Sequence, residues 1–134
     1  MSSSMEETPD DNSPQRSVWL KWGLITYWIG VFLLTHLPFP DTGASFPHAD
    51  KVVHMGIYTG LAFLLSALMT IDSWQASWKI FLVCICYAML DELLQIPIPT
   101  RAGDWRDWIA DVIGTTVGLA AWLVFKRRWQ NDSH

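Results

Sequence analysis

The sequence predicts an all-α fold, a membrane bundle of four transmembrane helices with the N and C termini in the cytoplasm. The composition is the first reason, because 51% of the residues are hydrophobic, only 16% are charged, and nine of the 134 are tryptophan. Soluble domains carry about 25% charged residues, so this balance is unusual for a soluble protein of this size. The second reason is that the apolar residues form four long segments with short links between them.

Each of these segments has about the 20 apolar residues that a helix needs to cross a hydrocarbon core of ~30 Å. The third and fourth segments carry acids at one end, so a buried helix of a soluble bundle is their alternative interpretation. Four such segments in succession favour the membrane, and the predicted membrane domain covers residues 17–128. The predicted spans are Val18–Leu37, Val52–Ile71, Trp78–Ile96 and Asp107–Phe125.

The two ends of the chain are predicted to lie outside this domain. Residues 1–16 are rich in serine, proline and acid and contain no apolar run, so we expect a disordered acidic tail. A secretory signal peptide would need a basic start followed by an apolar core, and this start is acidic. Residues 129–134 form a short C-terminal tail. The acids of the first eleven residues account for the net charge of −4, and the sequence offers no basic surface for nucleic acid.

The distribution of lysine and arginine predicts the orientation. Cytoplasmic loops of membrane proteins carry an excess of these residues, and both termini inside is the arrangement that satisfies this rule. The three outer residues are then Lys51, Arg101 and Arg106. The inner residues are Arg16, Lys21, Lys79, Lys126, Arg127 and Arg128.

This topology brings the unusual polar residues of the chain to one leaflet, at the outer face. Several of them recur every four residues, which places them on one side of a helix. Counted from Lys79 at ~1.5 Å per residue, Asp91 lies about 18 Å into a ~30 Å core, where an ionisable group costs several kcal/mol unless it is paired. The polar residues predicted to share this leaflet are His36, Asp50, His54, Tyr58, Asp91, Glu92, Gln95, Arg101, Asp107 and Asp111.

Arg101 or His54 is the partner that we expect for Asp91. Pro97 and Pro99 end the third helix and could fold Arg101 back over the mouth of the bundle. An ion pair that only holds this loop in place is the alternative. In the fourth span, Gly114 and Gly118 fit the small-xxx-small pattern of closely packed membrane helices, and the same face is a candidate contact with a second copy in a homo-oligomer.

Four motifs occur in order: DKVVHMGIY at residues 50–58, DELLQ at 91–95, PTR at 99–101 and DWIADVIGTTVG at 107–118. Together they resemble the VanZ-like family of small bacterial membrane proteins, with a pattern of about Asp-Lys-x-x-His and a following Tyr, Asp-Glu-x-x-Gln, Pro-x-Arg, and Asp-x-x-x-Asn-x-x-Gly-x-x-x-Gly. One departure is Asp111, which stands where the family commonly has Asn. The resemblance marks Asp50, Lys51, His54, Tyr58, Asp91, Glu92, Gln95, Arg101, Asp107, Gly114 and Gly118.

The resemblance implies a multi-pass protein of the bacterial cytoplasmic membrane. The founding member of the family is associated with low-level resistance to the glycopeptide teicoplanin, which suggests a role in resistance or in homeostasis of the cell envelope. The resemblance does not imply a particular reaction, so the hypotheses for the chemistry depend on the polar residues.

The first hypothesis is a site that binds or processes an amphiphilic, lipid-linked or glycopeptide ligand. The candidate catalytic residues are His54, Asp91, Glu92 and Arg101, with histidine as general acid or base. The candidate substrate-binding residues are Lys51, Tyr58, Gln95, Arg101, Asp107 and Asp111, because cations receive an anionic headgroup. Whether the site is an enzyme stays open.

Two other hypotheses remain: a proton- or ion-coupled small transporter or relay, and a scaffold whose polar residues only lock the helices together. The sequence does not establish a metal site. If a metal binds, Asp91, Glu92 and His54 are its candidate ligands, and carboxylates with one imidazole would suit Mg²⁺ or Mn²⁺. The lipid bilayer is the one partner that every hypothesis shares.

Overall fold

The computed structural model describes residues 14–36, 49–97 and 105–132, and within these ranges the chain is helical with no strand. The four helices, in order, are α1 (Pro14–His36), α2 (Ala49–Leu68), α3 (Trp74–Gln95) and α4 (Trp105–Asp132). The all-α prediction is therefore confirmed. The predicted segments lie within a few residues of the helices, except that α4 continues beyond Phe125 through the basic residues that follow it.

Three of the helices are long and apolar enough to cross a membrane: Val18–His36 of α1, Ala49–Leu68 and Trp105–Asp132. The third helix, α3, is 22 residues long but carries Lys79, Asp91 and Glu92, and it is not one of the three. These three are therefore candidate membrane spans by length and composition, as the sequence predicted for α1, α2 and α4.

The outer surface of the bundle is apolar. Large hydrophobic side chains are exposed on every helix, including Ile29 on α1, Val53 on α2, Leu90 on α3 and Val117 on α4. A soluble monomer rarely exposes contiguous apolar surface of this kind. The apolar helices therefore indicate a lipid bilayer environment.

The pair α2 and α4 forms the centre of the fold because their backbones approach closely. A Cβ atom at Gly114 would overlap the carbonyl oxygen of Met55, and one at Gly118 would overlap that of Thr59. The Thr59 hydroxyl also donates to the Gly114 carbonyl oxygen at 3.0 Å. Since α2 covers this face of α4 within the chain, the two glycines are not available as a contact with a second copy.

The turn between α2 and α3 closes one end of the bundle. Amides of Thr70 and Ile71 donate to the carbonyl oxygens of Ala67 and Ser66, which is a Schellman ending for α2. Thr70 has a φ of 50°, in the left-handed region that this motif requires. Ser73 then caps α3 by accepting from the Ala76 amide at 3.2 Å.

Side chains of α4 reach this turn. The Trp122 indole donates to the Ile71 carbonyl oxygen at 2.8 Å, and the Lys126 ammonium donates to that of Thr70 at 3.3 Å. The polar residues that the sequence singled out lie at the opposite end.

Candidate functional site

The polar end of the bundle is where α1 and α3 end and where α2 and α4 begin. Two sets of buried and half-buried polar residues lie there. The His54 cluster contains Lys51, His54, Glu92, Asp107 and Asp111. The Asp91 cluster contains Thr35, His36, Asp91 and Gln95.

The centre of the His54 cluster is a hydrogen bond between α2 and α4. His54 Nδ1 lies 3.1 Å from Asp111 Oδ1, and the two residues are 4% and 0% exposed. A carboxylate accepts, so the proton of the neutral imidazole is on Nδ1. This leaves the Nε2 lone pair as the free acceptor or ligand of the ring.

Lys51 and Asp107 form the outer part of the same cluster. The Lys51 ammonium donates to Asp107 Oδ1 at 2.8 Å and to the exposed Asp50 Oδ2 at 2.9 Å. Lys51 lies in the first turn of α2 and Asp107 in the first turn of α4, so this ion pair joins the two helices at the mouth of the bundle. It also places a cation beside His54, as binding of an anionic headgroup would need.

Glu92 completes the cluster from α3. One potential ligand atom each from His54, Glu92 and Asp107 lies within 4.8 Å of the other two, so residues of three helices converge on one point. The sequence grouped Asp91 with His54 and Glu92 as candidate metal ligands. In the structure Asp107 is the residue that lies with them, because the side chains of Asp91 and Glu92 leave α3 in different directions.

Asp91 is buried at the end of α1, in the second cluster. Gln95 donates to its Oδ2 at 2.9 Å, the Thr35 hydroxyl donates to its Oδ1 at 3.3 Å, and His36 Nδ1 lies 3.7 Å from Oδ1. Asp91 is 2% exposed, so these groups are its partners in place of water. The expected partner His54 is instead bonded to Asp111. Arg101, the other expected partner, lies outside the described residues, and its role stays a prediction.

Thr35 is a site residue that the sequence did not identify. The dipeptide Thr35-His36 ends a long apolar helix, and two polar residues at that position were the available signal. The sequence already placed His36, also on α1, among the polar residues of this leaflet, and α1 contributes both residues to the Asp91 cluster.

Tyr58 lies between the two clusters. It is fully buried and within electrostatic range of both Asp111 and Asp91. The Tyr58 hydroxyl and Asp111 Oδ2 are buried and have no hydrogen-bond partner among the residues that the structure describes. Buried polar atoms of this kind usually bond to water or a ligand, because leaving them unpaired costs about 1–3 kcal/mol.

An apolar groove of about 280 Å³ lies beside the His54 cluster, between the end of α3 and the start of α4. Glu92 is its one charged residue and belongs to the His54 cluster as well. A lipid-facing groove therefore leads directly to the polar site. The groove is lined by Met89, Glu92, Leu93, Ile96, Trp105 and Trp108.

Comparison with known proteins identifies the family. A family model described as VanZ/LLP1 matches residues 6–126, which include both clusters and the groove. No curated protein and no solved structure gives a significant match. Since the match covers most of the chain, this protein belongs to the VanZ-like family that its four motifs resemble.

Proposed function

We propose that this VanZ-like membrane protein binds and processes the polar headgroup of an amphiphilic or lipid-linked molecule at the His54 cluster. The observation that carries the proposal is the double position of Glu92. Its side chain lies with His54 and Asp107 and also lines the apolar groove. An amphiphile needs this combination, with a polar site for its headgroup and an adjoining apolar surface for its tail.

The side chains of the cluster have complementary roles in this function. Lys51 provides a positive charge for a phosphate or carboxylate of the headgroup. His54, oriented by Asp111, presents Nε2 as a general acid or base. Arg101 is proposed as a second cation, while Gln95 and Asp91 support the site from the neighbouring cluster.

We place this site on the extracytoplasmic side of the cytoplasmic membrane, with α3 as a fourth span and both termini inside. The support is the excess of lysine and arginine at the opposite end, where Lys126 contacts the α2–α3 turn. Cysteine labelling tests the orientation in a Cys84→Ser, Cys86→Ser background. We expect an impermeant reagent to label Gly103→Cys in intact cells and Asp72→Cys only after lysis.

Photolabelling in vesicles tests the headgroup site and the groove together. The probe is a phosphate-headed lipid with a diazirine in its acyl chain. We expect labelling between residues 89 and 108, and we expect Leu93→Trp to reduce it because the larger side chain fills the groove. Leu94→Trp is the matched control, since Leu94 is on the same helix, is 47% exposed and does not line the groove.

Equal labelling of the Leu93→Trp and Leu94→Trp proteins, spread over all lipid-facing helices, would contradict the proposal. A profile of lipids and cell-wall precursors from cells with and without the protein then identifies the substrate class. The proposed link to teicoplanin resistance or envelope homeostasis predicts that His54→Ala raises teicoplanin sensitivity at unchanged protein abundance.

A relay is the second candidate function, favoured by the position of Tyr58. Its hydroxyl lies between the two clusters, and neither this group nor Asp111 Oδ2 has a hydrogen-bond partner among the described residues. A chain of water molecules that connects His54 to Asp91 would pass here. Proton flux into vesicles that Asp91→Asn abolishes would favour the relay. A scaffold without ligand predicts neither flux nor labelling.

A further inference from the structure

We propose that the His54 cluster is a binding site for one divalent cation of the first transition row, such as Mn²⁺ or Zn²⁺. The ligands are His54, Glu92 and Asp107, and Asp111 positions the imidazole. This inference rests on the function proposed above and concerns the same site. With the cation bound, His54 Nε2 is a ligand instead of a general acid or base, and the cation would bind an anionic headgroup together with Lys51.

The distances suit a single ion. The three ligand atoms lie within 4.8 Å of one another. Two ligands on opposite sides of one cation are about 4–5 Å apart, since metal–ligand distances are about 2.0–2.6 Å. An ion between the three side chains is therefore within reach of all of them after small rotamer adjustments.

The donor set decides the class of metal. Two carboxylates alone would suit Mg²⁺ or Ca²⁺, which prefer oxygen ligands. An imidazole nitrogen among them favours first-row transition metals, and the absence of a thiolate from this set argues against a soft cation such as Cu⁺. Mn²⁺ and Zn²⁺ both accept one nitrogen with carboxylate oxygens.

His54 has the surroundings of a metal ligand. Histidine ligands usually donate their second N–H group to a carboxylate, which fixes the ring and makes the ligating nitrogen more basic. Asp111 accepts from His54 Nδ1 in this way, and its own Oδ2 is buried without a hydrogen-bond partner among the residues that the structure describes. His54 is 4% exposed and Asp111 is fully buried, so an unpaired carboxylate oxygen beside the imidazole points to a ligand in this cluster.

Lys51 is compatible with the cation. It donates to Oδ1 of Asp107, and the second oxygen of that carboxylate can bind a metal. The Asp91 cluster provides the contrast. Both oxygens of Asp91 accept hydrogen bonds, from Thr35 and Gln95, and the residue is not part of the three-ligand group.

Metal titration of the full chain in detergent micelles, stripped first with EDTA, tests the proposal. Free Mn²⁺ is measured by its electron paramagnetic resonance signal, and Zn²⁺ by competition. We expect one Mn²⁺ per chain, displaced by one Zn²⁺. Asp111→Asn keeps the hydrogen bond but removes the charge that makes the imidazole a better ligand, so it should weaken binding by about 10- to 100-fold, as substitution of an outer-shell partner does. Glu92→Gln should weaken it at least as much.

Asp72→Asn is the control, because Asp72 is an exposed acid in the α2–α3 turn, at the end of the bundle opposite to the site. Its binding constant should equal that of the unchanged chain. Circular dichroism verifies that each variant is folded. If the His54→Ala protein is not folded, the test rests on Glu92→Gln and Asp107→Asn, because these substitutions keep the shapes of the side chains.

The absence of stoichiometric binding at millimolar Mn²⁺ or Zn²⁺ overturns the proposal, as does an equal loss of affinity in Asp72→Asn. Photolabelling by the phosphate-headed lipid, repeated in EDTA, separates the two proposals. If the lipid labels the groove but no metal binds, the cation proposal is wrong and the headgroup site stands. If metal binds but labelling does not depend on the groove, the headgroup proposal is wrong and the cation site stands.

Discussion

His54 Nδ1 and Asp111 Oδ1 are 3.1 Å apart, in a hydrogen bond between α2 and α4 that is almost fully buried. The family pattern commonly has Asn at the position of Asp111. An amide oxygen accepts from the same N–H group, so either residue fixes the tautomer of His54. Only aspartate adds a negative charge, which makes the imidazole a stronger base and ligand.

The first prediction separates these two effects by substituting Asp111. We expect Asp111→Asn to keep the unfolding free energy within about 1 kcal/mol or to raise it, because the hydrogen bond remains and a buried charge is removed. Asp111→Leu should lower it by about 1–3 kcal/mol, since His54 Nδ1 is left unpaired. Thermal unfolding in detergent, followed by circular dichroism, measures both. Equal destabilisation by Asn and Leu would show that the charge itself stabilises the fold.

The second prediction concerns the contact between α2 and α4. We expect Gly114→Ala to cost about 1–3 kcal/mol or more, because its Cβ would overlap a backbone oxygen of Met55 that cannot move independently of α2. Gly56→Ala is the control, since no atom lies within 4 Å of a Cβ there, and the higher helix propensity of alanine should make it neutral or stabilising. Chemical denaturation of the two variants gives the comparison. A tolerated Gly114→Ala would contradict the close approach.

The number of helices and the end of α4 show which parts of the fold the sequence could predict. The number of helices follows from the four apolar segments, because an apolar run of that length has few other structures. The end of α4 could not be predicted in this way, because the apolar segment ends at Phe125 whereas the helix continues to Asp132. Backbone hydrogen bonds do not depend on the boundary of the bilayer, so a helix continues into water as far as its residues favour it.

The same contrast holds for the site. The sequence placed His54, Glu92 and Asp107 at one end of the bundle, because alternating helix directions bring those segments together. It could not show that Asp91 and Glu92 belong to different clusters. Adjacent residues on a helix differ by about 100° in direction, and which neighbour each one meets depends on the rotation of α3 about its axis. The contribution of Thr35 depends on the packing of α1, for which the sequence has no signal except the polar pair itself.

The third prediction concerns the Asp91 cluster. We expect Thr35→Val to lower the unfolding free energy by about 1–2 kcal/mol, because Asp91 loses a buried donor while the size of the side chain is unchanged. Thr116→Val is the matched control. The Thr116 hydroxyl is exposed and bonds only within its own helix, to the Val112 carbonyl oxygen, so its loss should cost less than about 0.5 kcal/mol. Indistinguishable unfolding midpoints for the two variants would mean that Thr35 does not support Asp91.

The last prediction concerns the charge beside the proposed cation. Lys51 lies 2.8 Å from Asp107, so its ammonium repels a metal ion at the same carboxylate and also occupies one of its oxygens. We expect Lys51→Gln to tighten Mn²⁺ binding by on the order of 10-fold, consistent with loss of one unit charge a few ångströms away. Lys79→Gln, an exposed substitution at the start of α3, should leave the binding constant unchanged. If Lys51 is itself the resident cation of the site, Lys51→Gln will destabilise the fold without improving Mn²⁺ binding, because Asp107 loses its partner. The direction of the change in Mn²⁺ affinity therefore distinguishes a metal centre from an ion-pair network built from the same residues.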